Sequence, residues 1–320
     1  MTGLPATVVT ALDRLTEGVS RNELARRAAA ISEAYRSGGG SAIIGNDTDA
    51  LAYALVRMPA TYAAVTTCLD ALQIARPDFA PTSMIDLGAG PGTATFAAAE
   101  AFASLGRFEL TDTNERLHAL ARGLMRGNER LRSTQYKLSG ARAFLNGVDD
   151  ADLVIASYVV GELEDPERKA LVELMWQRTR DVLVIVEPGT PDGYQRIIAL
   201  RSQLIAEGAH VVAPCPHDAP CPLTPPDWCH FAQRLPRSRD HKQLKGADVP
   251  FEDEKFSYVV LSRTAPVARP ARVLAQPTQT KAAITAKLCT PSGVSNTAVQ
   301  RRDKEAFARA RRWRWGDAVD

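Results

Sequence analysis

The stretch MIDLGAGPGTATF, residues 84–96, constrains the fold of this chain more than any other. It places a short apolar run, glycines at 88, 90 and 92, and a helix-forming segment in direct succession. Alternate glycines let a backbone turn tightly and approach a ligand that a Cβ would exclude, and the helix start behind them offers unpaired N–H groups. The dinucleotide fingerprint would need glycine at 93, where Thr93 stands. Twenty residues past Gly92, the run FELTD ends at Asp112, placed to accept hydrogen bonds from both hydroxyls of a ribose. Further apolar runs at 84–87, 108–111, 153–156 and 182–186 alternate with helical segments at 93–105, 114–127, 166–179 and 192–207. That alternation predicts an α/β fold with a mostly parallel sheet covered on both faces. Candidate strands at 210–213 and 256–262 close it as an antiparallel hairpin.

The rest of the chain divides around this core. Residues 7–36 carry apolar positions at helical spacing and end at Ser37-Gly38-Gly39-Gly40-Ser41, a flexible joint. A second helical stretch, 47–75, contains Pro59, which should kink or restart it. The expected organisation is an N-terminal helical region over 1–80, a core over 81–265 with a Cys-rich insertion at about 209–250, and an extension over 266–320. The extension reads as irregular until a basic helix at roughly 298–314.

The formal net charge of +2 gives no global reason to expect nucleic acid, so such an argument rests on local clusters. The start lacks a basic region followed by a long apolar run, and no stretch approaches the roughly 20 apolar residues of a bilayer span. A cytoplasmic protein, with no membrane partner, is expected. Three of the five cysteines crowd into AHVVAPCPHDAPCPLTPPDWCHF (209–231) with spacing C-x5-C-x7-C. In a reducing compartment, clustered thiols suggest metal rather than disulfides. Proline after Cys215 and Cys221 stiffens the loop. Three thiolates need a fourth ligand. Cys289, before the turn in KLCTPSG, is the first candidate, with His217 and His230 next and Cys68 an apolar helix residue. The spacing fits neither C-x2-C zinc knuckles nor the ferredoxin run, so it leaves zinc and iron–sulfur both open.

The run Asp-Leu-Gly-x-Gly-x-Gly resembles motif I of the class I S-adenosylmethionine-dependent methyltransferases. The resemblance implies a Rossmann-like core whose cofactor lies on Asp86, Gly88, Gly90, Gly92, Asp112 and Ser157. The segment after the third strand, LSGARAFL, lacks the acid that often contacts adenine in such enzymes. After the fourth strand, ASYVVGEL lacks the Asn/Asp-Pro-Pro-aromatic run of base amino-methyltransferases, and no general base is named. Tyr158 and Glu162 read equally as acceptor-facing groups or as core aromatic and helix cap. Asp218-Ala219-Pro220-Cys221 matches a cytosine-5 methyltransferase loop only in letters, because it follows the fifth strand.

More specifically, APCPHDAPCPL, DWCHFAQRLPR and EDEKFSYVVLSR, with DLVIASYVVGEL and VEPGTPDGY upstream, resemble the Rsm-twenty-two family of ribosomal small-subunit methyltransferase-like proteins. The likeness runs from YALVRMPATYAAV to the terminal RRDKEAFARARRWRWGD. It implies a partner in the small ribosomal subunit and its rRNA, and a four-iron, four-sulfur (4Fe-4S) cluster on Cys215, Cys221, Cys229 and Cys289. The start is not Arg/Ser-rich like a transit peptide, so a bacterial member is expected. Two basic clusters fit an RNA partner. One contains Arg234, Arg237, Arg239, Lys242 and Lys245. The other contains Arg301, Arg302, Lys304, Arg309, Arg311, Arg312 and Arg314, with Trp313 and Trp315 available to stack on bases or to pack on the core. A non-catalytic assembly factor and a small-molecule methyltransferase are the alternatives.

Overall fold

All five residues of β1 (Ser83–Leu87) are buried, as befits a central strand covered on both faces. The computed structural model describes residues 3–36, 39–237 and 249–320. On one side β1 pairs with β2 (Arg107–Asp112), which pairs with β3 (Gln135–Leu138). On the other it pairs with β4 (Ala151–Ser157), which pairs with β5 (Thr179–Pro188). All four pairings are parallel. The sheet is completed by β6 (His210–Ala213), β7 (Phe231–Pro236) and β8 (Phe251–Ser262), in the order β3-β2-β1-β4-β5-β8-β6. β8 runs antiparallel to β5 and β6, as the two late apolar runs predict. Its first half, outside the apolar window, pairs with β7 and carries the ribbon past the carboxyl end of β5, where Pro188 meets Phe256.

Helices cover both faces. α1 (Ala6–Thr16), α2 (Arg21–Arg36), α3 (Asp47–Val56), α4 (Met58–Ala75), α5 (Thr93–Ala101) and α6 (Glu115–Met125) share one apolar core. α7 (Ala141–Leu145), α8 (Asp165–Gln177) and α9 (Pro191–Ala206) share the other. The first helical stretch breaks at Gly18, whose φ of +80° suits a helix terminus. In the second, Asn46 and Asp49 cap α3 reciprocally, and Pro59 falls in the first turn of α4, where no helical hydrogen bond is lost. Arg27 reaches Asp49 at 3.0 Å and ties α2 to α3.

The extension departs from its expected irregularity. β9 (Ala271–Val273), β10 (Thr278–Gln279), β11 (Ala283–Thr290), β12 (Gly293–Gln300) and β13 (Ala318–Val319) form a five-stranded antiparallel sheet. The helix is only α10 (Lys304–Ala310), because 298–300 belong to β12. The alternation of Ile284, Ala286 and Leu288 inward with Thr285 and Lys287 is a half-buried strand pattern that small and polar residues disguise. Val273, Ala286, Leu288 and Val319 make its small core, against which Trp313 packs.

Candidate functional site

The glycine loop leaves β1 and enters α5. Gly88, Gly90 and Gly92 all have left-handed φ, at +60°, +53° and +83°. A Cβ on Gly88 would stand 2.3 Å from a Val159 methyl, so here glycine is required by space as well as by conformation. Asp112, at the end of β2, accepts from the Gly90 N–H through Oδ2 and from the Asn114 N–H through Oδ1, each at 2.8 Å. The carboxylate therefore pins the loop it is expected to serve and keeps further lone pairs for a ligand. Tyr136, which sequence reasoning did not single out, donates to the Gly90 carbonyl at 2.6 Å.

Asp86 lies beneath the loop, fully buried. Its Oδ2 accepts from the Thr95 N–H at 3.1 Å and the Thr95 hydroxyl at 2.7 Å, while Oδ1 has no partner among the described residues. Burial pushes its pKa up to about 7. The N-terminal helices reach this side: Asn114 donates to the Ser41 and Ile44 carbonyls at 3.2 and 3.0 Å.

Ser157 is half-buried at the end of β4. Next to it Tyr158 has φ +60°, a strained setting for an aromatic residue at an element end. Its hydroxyl donates to Glu254 on β8 at 2.8 Å, and burial raises its pKa. Glu162 lies against Gly40, its pKa raised by burial and by Asp112.

Cys215, Cys221, Cys229 and Cys289 line one pocket, together with Tyr194 of α9 and Tyr258 of β8. None of the five cysteines is in a disulfide, and Cys68 is buried in α4. The first three come from the loop between β6 and β7, and the fourth from β11. The Tyr194 hydroxyl is 3.2 Å from Cys221 Sγ, and His217 Nε2 is 3.6 Å from Cys289 Sγ. His217 thus stands beside a cysteine in the pocket, whereas His230 stacks on Trp228. Burial, then the neighbouring thiols, raises Cys229 well above the ordinary thiol range, and the same causes push Cys289 up to about 12. Arg201 and Arg272 are buried beside the pocket. Arg201 donates to the His217 and Ala219 carbonyls, and its Nε has no partner among the described residues. Arg272 donates to the Pro214 and Gly316 carbonyls. Arg201 was legible as a charged residue on the buried stripe Tyr194, Ile197, Leu200, Leu204 of α9. Among the described residues, no three His, Cys, Asp or Glu side chains converge closely enough to hold a single metal ion. The thiols surround a pocket rather than a point.

The two basic clusters fare differently. Arg234 pairs with Asp253 at 2.7 Å and Arg237 with Glu252 at 3.1 Å, both across the β7–β8 ribbon. Arg239, Lys242 and Lys245 lie outside the described residues. Arg301, Arg302, Arg311, Arg312 and Arg314 are exposed. Trp313 and Trp315 do pack on the protein: the first on the small sheet's core, the second against His230, donating to its carbonyl at 2.9 Å. Asp218 is occupied by the Val211 N–H and Arg269, in keeping with a structural role for its tetrapeptide.

A family model described as the mitochondrial small ribosomal subunit Rsm22 matches residues 47–320. The chain belongs to the Rsm22 family. Among relatives of this Rsm22-family chain is the human mitochondrial ribosome assembly protein METTL17, 28% identical over 84% of the chain and 62% of that protein. Another is the mitochondrial Rsm22-cox11 tandem protein 2 of Schizosaccharomyces pombe, 26% identical over 68% of the chain and 32% of that protein. The chain therefore spans about three fifths and one third of these relatives. Both are mitochondrial by name, which the expectation of a cytoplasmic, bacterial-type member does not match. Among solved structures, the SAM-bound magnesium protoporphyrin IX methyltransferase of Synechocystis PCC 6803 aligns with 72% of the chain and 90% of its own, at 12% identity and TM-score 0.41. The chain's own topology is an α/β sheet with a mainly parallel centre, β3-β2-β1-β4-β5, and an antiparallel end. No helix among the described residues is long and apolar enough to cross a membrane.

Proposed function

We propose that this Rsm22-family chain binds S-adenosylmethionine on the Gly88–Gly92 loop, carries an iron–sulfur cluster on four cysteines, and acts on the small ribosomal subunit or its rRNA. The observation that carries this reading is the meeting of Cys215, Cys221, Cys229 and Cys289 in one pocket beside two buried arginines. A thiolate-ligated cluster is anionic. Arg201, with an unpartnered buried Nε, and Arg272 supply the compensating charge that a buried anion needs. Buried thiols that repel one another's charge have little tendency to ionise without a cation to take the electrons. Among the described residues no three His, Cys, Asp or Glu side chains converge on one point, so the thiols would have to draw together around zinc as well as around a cluster, and zinc stays the alternative. Cys289 on β11, with Lys287 paired to Asp227, would let the group staple the small sheet to the loop.

For the cofactor, Asp112 would hold the ribose hydroxyls and the glycine turn would admit the backbone close to it. Asp86, whose Oδ1 is buried without a partner, sits below as a brace and a potential acceptor. Ser157 stands at the end of β4, facing the same carboxyl edge. S-adenosylmethionine supplies an already activated methyl group, so the protein's contribution to any transfer is positioning. A second reading, an assembly factor without chemistry, is favoured by Tyr158, whose hydroxyl is committed to Glu254 where an acceptor would be gripped. The name of the human relative supports assembly as well. The setting is a reducing compartment that holds ribosomes: the cytoplasm, as cysteine usage suggests, or the mitochondrial matrix, as the relatives' names do.

The test is anaerobic purification with iron, acid-labile sulfide and zinc quantified per chain, for wild type and Cys289→Ser. Iron and sulfide in near-equal amounts, lost in the variant, is the expected result. Zinc alone, or no metal, overturns the cluster.

A further inference from the structure

Among the described residues, several cations at the C-terminal end lie close together without acidic partners. Across the sheet the arginines of the β7–β8 ribbon are neutralised by facing acids, whereas Lys281, Arg301 and Arg311 form no ion pair among the described residues. These three, with Gln279, Thr280 and Phe307, line an open groove between the β10–β11 turn, the end of β12 and α10. The fold holds them together. The Arg301 N–H donates to the Ala282 carbonyl at 2.8 Å, and the Arg311 N–H to the Phe307 carbonyl at 3.0 Å. Of the neighbouring acids, Asp303 accepts from the Ala306 N–H and Asp317 from the Arg314 N–H, and among the described residues neither they nor Glu305, exposed on α10, forms an ion pair with a groove cation. Phe307 is half-buried in the groove, while both tryptophans of this segment are used for packing.

We propose that this groove is a binding site for an unpaired RNA strand, with phosphates on Lys281, Arg301 and Arg311 and one base against Phe307. The proposal rests on the ribosomal reading above and locates its RNA contact on the small C-terminal sheet rather than on the β7–β8 ribbon. Unpaired cations release counterions when they meet phosphates, whereas cations already paired must first give up a partner. An aromatic ring within a cationic groove accepts any base face, so the site should be tolerant of sequence.

The experiment uses the full chain, with a fluorescent 12-mer oligouridine as probe and small ribosomal subunits for sedimentation. Anisotropy titrations run from 50 to 300 mM KCl for wild type, for the triple variant Lys281→Gln/Arg301→Gln/Arg311→Gln, and for Phe307→Leu. All three cations are exposed, so the glutamine variant keeps the fold, and a thermal melt confirms it. Three lost phosphate contacts should lower the slope of log affinity against log salt by about 2, at about 0.7 per contact on single strands. Phe307→Leu should weaken binding about tenfold with the slope unchanged. An unchanged slope in the triple variant, with subunits still bound by both proteins, overturns the groove and leaves the ribosomal reading standing. Loss of subunit binding with oligouridine affinity unchanged assigns the groove to an acidic protein surface and overturns the RNA proposal. Wild type that binds neither probe at the lowest salt removes both readings together.

Discussion

Replacing Gly88 with alanine separates two costs that the glycine loop normally hides. The first is conformational: at φ +60° an L-residue with a Cβ is disfavoured by about 1–2 kcal/mol. The second is steric, since the new Cβ would meet Val159 Cγ2 at 2.3 Å, and overpacking of this kind costs about 1–3 kcal/mol. Gly90 has a similar φ, but its Cβ would meet only Leu117 at an ordinary 3.8 Å, so Gly90→Ala carries the first cost alone. Gly92 is intermediate, because the Met125 methyl at 2.5 Å is the end of a flexible side chain and can move aside. With about 2 °C in Tm per kcal/mol for a chain of this size, Gly88→Ala should lower Tm by about 4–10 °C and Gly90→Ala by about 2–4 °C. Trimming the obstacle should recover the steric share: Gly88→Ala/Val159→Ala should be less destabilised than the two single changes combined, with a coupling of about 1–3 kcal/mol. Urea unfolding of wild type, the single variants at 88, 90 and 159 and the double variant, all without ligand, measures this. Additive losses, or equal losses for the alanines at 88 and 90, would refute the reasoning.

Asp112→Ala removes the acceptor for Gly90 and Asn114 as well as for a ribose. S-adenosylmethionine affinity by calorimetry should therefore fall at least about a hundredfold, two charge-assisted hydrogen bonds being worth about 3 kcal/mol or more. Asp86, whose folded pKa of about 7 lies above its unfolded value, keeps its proton in the folded state between roughly pH 4 and 7. Stability must fall as pH rises through that window, by up to about 1.4 kcal/mol per unit, and level off above it. Asp86→Asn, which can still accept from Thr95, should flatten the dependence; an unaltered pH profile would show that the carboxyl titrates normally. Arg234→Ala breaks an exposed pair with Asp253 and should leave oligouridine affinity unchanged, whereas a loss comparable to the groove variant would place RNA on the ribbon instead.

The parallel core was legible because its strands are buried on both faces and so read as apolar runs closed by Gly, Asp or Pro, as in 182–186. The spacing of Gly92 and Asp112 suffices to bring a loop and its acid together, since both lie at the same edge of adjacent strands. The five-stranded extension was not legible. Its β12, GVSNTAVQ, has no buried residue, and its partner β11 mixes lysine, threonine and alanine. Nor could local charge counting foresee that Arg234 and Arg237 face Asp253 and Glu252, because those pairs depend on the register of a hairpin. The cysteines lie between these cases: their type and crowding pointed to a common site, but the route of Cys289 into it depended on a sheet that the sequence disguised.

That route has a consequence in polymer terms. Between Cys229 and Cys289 lie about 60 residues, including β7, β8 and most of the path into the small sheet. Any group grasped by both thiols closes that length into a ring, and in the chain-entropy description a ring of this size takes about 4 kcal/mol from the unfolded ensemble. The gain falls on the seam between the large sheet and the small one. Filling the pocket should therefore raise the protection of the amides of β11 more than that of β1, which is already enclosed on both faces.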